Sequence, residues 1–164
     1  MIAELLRPEV DQEMATTRRV LERVPDDKLG WKPHDKSWSM GDLASHLVNL
    51  IKWAEYTMDR TEFDLAAVSP DELNRAASSR AQLLEWFDAN AAATRQALAK
   101  SDADYGVSWS LKQGAQVYFT LSRYACIRSY VLNHLVHHRA QLAVYLRLSN
   151  IPVPAMYGPS ADES

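Results

Sequence analysis

The chain has 164 residues, 47% hydrophobic and 24% charged, which suits one soluble domain with a substantial core. Its formal net charge is −3 and its Lys and Arg residues are scattered, which argues against a nucleic-acid grip. Cys126 is the single cysteine, so an internal disulfide and a Cys-based zinc motif are excluded. No signal peptide and no apolar run long enough to span a membrane can be drawn, and a reducing cytoplasm is the expected setting.

The first predicted helix starts at about Glu4 or Pro8, since proline is tolerated in a first turn, and runs to Val24. Val10, Met14, Thr17, Leu21 and Val24 recur at steps of four and three and form one stripe, with Asp11, Glu13, Arg18 and Glu22 off it. Pro25-Asp26-Asp27 ends that helix and opens a long loop carrying Trp31, Pro33, His34 and Trp38. The two tryptophans are expected to pack over the end of a bundle, an aromatic binding platform being the alternative.

Ser39 and Asp42 resemble a capping box at the head of a second helix, residues 40–58. Its inner face is Met40, Leu43, Leu47, Leu50, Ile51 and Ala54, and His46 lies on or beside it. Ser69-Pro70-Asp71-Glu72 combines a capping serine, a first-turn proline and two acids suited to the helix dipole, so the third helix is predicted over residues 70–100. Residues 101–116 read as a polar connection, with 107–111 alternating enough for extended structure. The fourth helix is predicted from Ser122 or Arg123 to Leu148, stopped by Asn150 and Pro152. The tail is too Pro-rich for helix and is expected to fold back, since Ile151, Val153, Met156 and Tyr157 are worth burying. These segments predict an all-α four-helix bundle, one domain over residues 1–164, with a long loop between helices 1 and 2 and a Pro-rich C-terminal tail.

The fourth helix holds three of the five histidines, in N-H-L-V-H-H-R-A-Q. With His134 at zero and about 100° per residue, the apolar stripe of Ile127, Val131, Leu135, Leu142 and Leu146 centres near +70°. His138 falls near +40°, within the stripe, His134 at its edge, and His137 near −60°, outside it. Gln141, near −20°, neighbours His134; Arg139, near +140°, is on the opposite flank, where a carboxylate partner is expected. A pair of histidines four apart on one helix can reach a single metal ion, and an inward His46 would supply a third imidazole. The competing reading for each ring is a boundary histidine hydrogen-bonded to backbone or water. Cys126 reads as a small buried residue and His34 as a solvated loop residue.

The helix-two entry S-W-S-M-G-D-L-A-S-H, the helix-four run N-H-L-V-H-H-R-A-Q-L-A-V-Y-L-R and the tail I-P-V-P-A-M-Y-G-P-S resemble the DinB-like (damage-inducible, YfiT-like) family of metal-binding four-helix bundles. That resemblance implies a three-histidine site formed by His46, His134 and His138, and a homodimer. Some relatives are transferases or isomerases that use a low-molecular-weight thiol as cosubstrate. Three imidazoles leave positions open on a divalent transition metal such as Zn, Ni or Fe, as catalytic sites do. The expected function is a metal-dependent thiol transferase or hydrolase acting on a small molecule, without nucleic acid or membrane as partner. Gln141 and Tyr145 are candidates to line the substrate side, and no residue shows the spacing of a general base. The alternative is a non-catalytic bundle, a stress-response or binding module in which the ion only ties helix two to helix four.

Overall fold

A computed structural model describes residues 1–69 and 73–163 of the chain. Helix α1 spans Ile2–Leu21 and passes through Pro8, so the proline marks no break. Its predicted stripe of Val10, Met14, Thr17, Leu21 and Val24 is buried. Helices α2 (Met40–Leu50) and α3 (Trp53–Asp59) divide the predicted second helix at Ile51 and Lys52. Ser39 and Asp42 do form a capping box: the Asp42 amide donates to Ser39 Oγ at 3.0 Å, and the Ser39 amide returns to the Asp42 carboxylate. The start of α2 is further fixed at Gly41, whose amide donates to the Leu29 carbonyl at 2.8 Å. A Cβ at Gly41 would sit 3.0 Å from that oxygen, so the close approach of loop and helix uses the missing side chain.

Helix α4 spans Arg80–Ala97, shorter than predicted. The proposed start at Pro70-Asp71-Glu72 lies outside the described residues, but the chain just before α4 is not helical. Ser79 caps the helix by accepting from the Gln82 amide at 3.2 Å. The backbone before it is committed to α2 instead: the Ala77 amide donates to Ser45 Oγ at 2.9 Å, and Asn49 Nδ2 donates to the Arg75 carbonyl at 2.8 Å. Those contacts lay residues 73–77 across the outer side of α2.

The expectation of an all-α bundle is wrong. A three-stranded mixed sheet completes the fold, in the order β1 (Glu62–Asp64), β2 (Ser108–Gln113), β3 (Gln116–Ser122). β1 runs parallel to β2, and β2 pairs antiparallel with β3. The extended reading of residues 107–111 was right, but it is one strand of a hairpin. Trp109 and Leu111 point into the core and Ser108, Ser110 and Lys112 away from it, the alternation of a half-buried strand. Gly114 makes the tight turn at φ +59°, and its amide donates to Asp64 Oδ1 at 2.9 Å, tying the turn to β1. Trp109 Nε1 donates to the Tyr56 carbonyl, which joins the sheet to α3. A short helix α5 (Asp102–Gly106) leads into the hairpin.

The last helix begins as predicted. Ser122 accepts from the Ala125 amide and caps α6 (Arg123–Cys126), which continues as a π-helical stretch (Ile127–Asn133) and then as α7 (His134–Leu148). Cys126 is buried, 3.5 Å from Thr57 Oγ1, and burial raises its thiol pKa, so it is an inert packing residue. The tail folds back as expected for Val153, which is buried, and for Ile151 and Met156, which pack on the core. Tyr157 is 67% exposed, yet its hydroxyl donates to both Glu13 carboxylate oxygens at 2.9 Å. Glu13, expected off the core stripe, is only 6% exposed because Arg139, 1% exposed, reaches it from α7 with a 2.6 Å ion pair. No helix among the described residues is long and apolar enough to cross a membrane.

Candidate metal centre

His46 stands midway along α2, among Leu43, Leu47 and Leu50, which lock that helix into the core. His134 and His138 stand one turn apart at the head of α7, on and beside the face that buries Leu135, Leu142 and Leu146. The two helices bring one nitrogen from each of the three rings to within 4.8 Å of one another, a grouping that could hold a metal ion. The ring centroid of His46 lies 5.3 Å from that of His134 and 4.6 Å from that of His138. His137 is exposed and stands outside the group, and His34 is an exposed loop residue whose Nδ1 accepts from the Lys36 amide.

The donor set fits a cation. His46 Nε2 is fully buried and has no hydrogen-bond partner, which costs about 1–3 kcal/mol if nothing binds it. His138 Nδ1 donates to Gln141 Oε1 at 2.7 Å, and His138 Nε2 then faces His134 Nε2 at 2.8 Å. With His138 Nε2 as acceptor, His134 donates its Nε2–H across that gap, and a bound metal ion would take the place of this proton. The Tyr130 backbone also favours protonation of the His134 ring.

Burial is the main cause of the low proton affinity of all three rings. It lowers His46 to about 4, helped by the positive charge His138 and His134 would carry. His134 and His138 are also lowered by desolvation, opposed by the Tyr130 backbone and by Gln141 respectively. At neutral pH the set is therefore neutral and available as ligands. For chelator-treated, metal-free protein the sign follows from linkage. Unfolded His46 titrates at about 6.5 and folded His46 at about 4, so the unfolded chain binds more protons between those values. The stability from keeping His46 neutral is complete above pH ~6.5 and is lost as pH falls toward 4. The melting temperature should fall across that window, and His46→Gln should flatten the fall; parallel curves for the two proteins would remove His46 as its cause.

The surroundings include residues that helix periodicity did not single out. Trp38, 49% exposed, stacks on His138 at 5.5 Å and meets His46 edge-on at 4.9 Å. It is part of the site and not a cover on the bundle end; its place just before the capping Ser39 was the available signal. Trp31 does pack on the bundle, against Tyr145. Gln141 touches His138, and Tyr145 lines a recess of about 260 Å³ with Trp38, His138 and Gln141. Two other cavities share His46, Asn49 and Asn74. The outer, about 370 Å³, adds Trp38, Asp42 and Ser45; the inner, about 150 Å³, adds Trp53, Tyr130 and His134. Asn49 lies three residues after His46, a spacing that shares a helix face.

Comparison with known proteins bears on the fold and the family. The chain is 23% identical over 151 residues to YrdA of Bacillus subtilis, covering 92% of this chain and 85% of that protein. Its fold matches the crystal structure of a DinB-like protein from Bacillus cereus with a TM-score of 0.72 at 18% identity, covering 94% of this chain and 97% of that one. It also matches a putative DinB member from Exiguobacterium sibiricum with a TM-score of 0.67 at 21% identity, covering 91% and 92%. The sequence pattern of the DinB family matches residues 4–164, and the chain belongs to the DinB family.

Proposed function

We propose that His46, His134 and His138 hold a divalent transition metal, and that the protein is a metal-dependent enzyme acting on a small molecule by thiol-dependent transfer or hydrolysis. The observation that carries this reading is the convergence of three neutral imidazoles, one with an orphaned buried nitrogen, with His46 lining two cavities, His134 the inner of them and His138 a neighbouring recess. Closed structural sites use four protein ligands, whereas three leave a position for a reactant. Imidazole suits Zn, Ni and Fe alike. When bound, such an ion supplies Lewis acidity, which draws the pKa of a thiol or water nucleophile toward neutrality.

The chain's own residues prepare that chemistry. Gln141 fixes the orientation and tautomer of His138 through Nδ1. Trp38 lies against two of the three rings and restricts water on its side of the cluster. Asp42 lines the outer cavity, but its carboxylate accepts from the Ser39 hydroxyl at 2.7 Å as part of the cap, so it is not a free base.

Cobalt substitution tests the reading. The protein should take up one Co(II) per chain, and a low-molecular-weight thiol such as 2-mercaptoethanol should change the visible spectrum and add a thiolate charge-transfer band. No stoichiometric uptake would remove the metal. Bound Co(II) whose spectrum ignores both thiol and pH would leave only a tie between α2 and α7.

A further inference from the structure

We propose that Tyr130 anchors the substrate: its hydroxyl donates to a carbonyl-type acceptor on an uncharged small molecule whose apolar part fills the inner cavity. This rests on the reading of the histidine cluster as a reactive centre and adds the class of molecule that reaches it.

The inner cavity of about 150 Å³ has room for roughly five waters at about 30 Å³ each. Trp53, Leu50, Leu65 and Leu73 make much of its wall apolar, and His46 and His134 supply the side facing the cluster. No Lys, Arg, Asp or Glu is among its described lining residues. An ion held away from the histidines would lose its hydration with no opposite charge in the described wall to replace it, which selects an uncharged group there.

Tyr130 stands in this wall, half-buried, with its ring 5.4 Å from that of Trp53 and 5.8 Å from that of His134. The π-helical stretch places it there. A uniform α-helical phase would set Tyr130 at about −40° from His134, on the outer flank. The wider π turn advances less per residue and carries the ring toward the site. Its hydroxyl forms no hydrogen bond with any described residue, in contrast to the buried Tyr105, which donates to the Leu98 carbonyl at 2.6 Å. Tyr130 lines the cavity with this donor unpaired, so an occupant with an acceptor can engage it there. Asn49, whose amide nitrogen is spent on the Arg75 carbonyl, and Asn74 border both cavities, so the polar remainder of the molecule extends into the outer one.

Titration of chelator-treated protein with benzamide and with toluene tests this without using the metal. Benzamide should bind saturably, and Tyr130→Phe should weaken it about three- to tenfold, the range one neutral hydrogen bond commands. Toluene, which has no carbonyl, should bind the two proteins equally, and benzoate should bind the wild type more weakly than benzamide does. No saturable benzamide binding, equal benzamide affinity in both proteins, or an equal loss for benzamide and toluene overturns the assignment. Metal stoichiometry, measured on separate samples of both proteins, keeps the two readings apart. Absent metal with the benzamide difference intact sinks the metal reading alone; equal benzamide affinity with metal present sinks the Tyr130 reading alone.

Discussion

His138→Ala should abolish stoichiometric metal binding. His138 is the hub of the cluster: its Nε2 meets His134, its ring lies 4.6 Å from those of both His46 and His134, and its Nδ1 is braced by Gln141. Loss of a bracing partner alone typically weakens metal affinity 10- to 100-fold, so loss of the ligand should exceed about 100-fold. Gln141→Ala should fall within the bracing range, and His137→Ala, outside the group, should bind as the wild type does. Metal content after dialysis, followed by competition against a chromophoric chelator, measures all three. If His138→Ala retains one ion per chain at wild-type affinity, the proposed ligand set is wrong.

The largest effect on stability is expected at Glu13. Glu13→Ala leaves the Arg139 guanidinium buried beside α1 without its carboxylate, and stranding one partner of a buried ion pair costs about 3–5 kcal/mol. Three neutral contacts would remain, since Arg139 Nη1 also donates to the Glu13 carbonyl and to Thr17 Oγ1, each at 3.1 Å, and Nη2 donates to the Tyr157 hydroxyl. They do not replace a charge. With total stabilities of about 5–15 kcal/mol typical, the variant should unfold at a much lower urea concentration. Replacing both partners with Leu and Met, which removes the charges together, should recover most of that loss. Tyr157→Phe should cost about 1 kcal/mol, because it removes hydrogen bonds but strands no charge. A Glu13→Ala midpoint within error of the wild type would show that the pair is not buried as described.

Helical phase made much of the site legible. Apolar spacing set the inner faces of α1, α2 and α7, and that phase selected His46, His134 and His138 while rejecting His137. It also sent Arg139 to a flank where a carboxylate was expected, although the partner's identity was hidden because Glu13 looked solvent-facing on its own helix. A wheel reports one helix at a time and is blind to a charge arriving from another.

The tertiary structure decided the rest, for two physical reasons. Non-local hydrogen bonds overrode local propensity: Ser45 and Asn49 capture the backbone before α4, and pairing with β1 and β3 makes a short alternating run around Trp109 into a central strand. Local departures from the ideal repeat also moved side chains that periodicity placed elsewhere, as the π stretch does for Tyr130. The sequence by itself determined which histidines face inward, because a 3.6-residue repeat depends only on position along one helix. Only the tertiary structure decided that their nitrogens converge, that Trp38 lies against them and that Tyr130 borders the cavity beside them, because those facts depend on how separate segments meet.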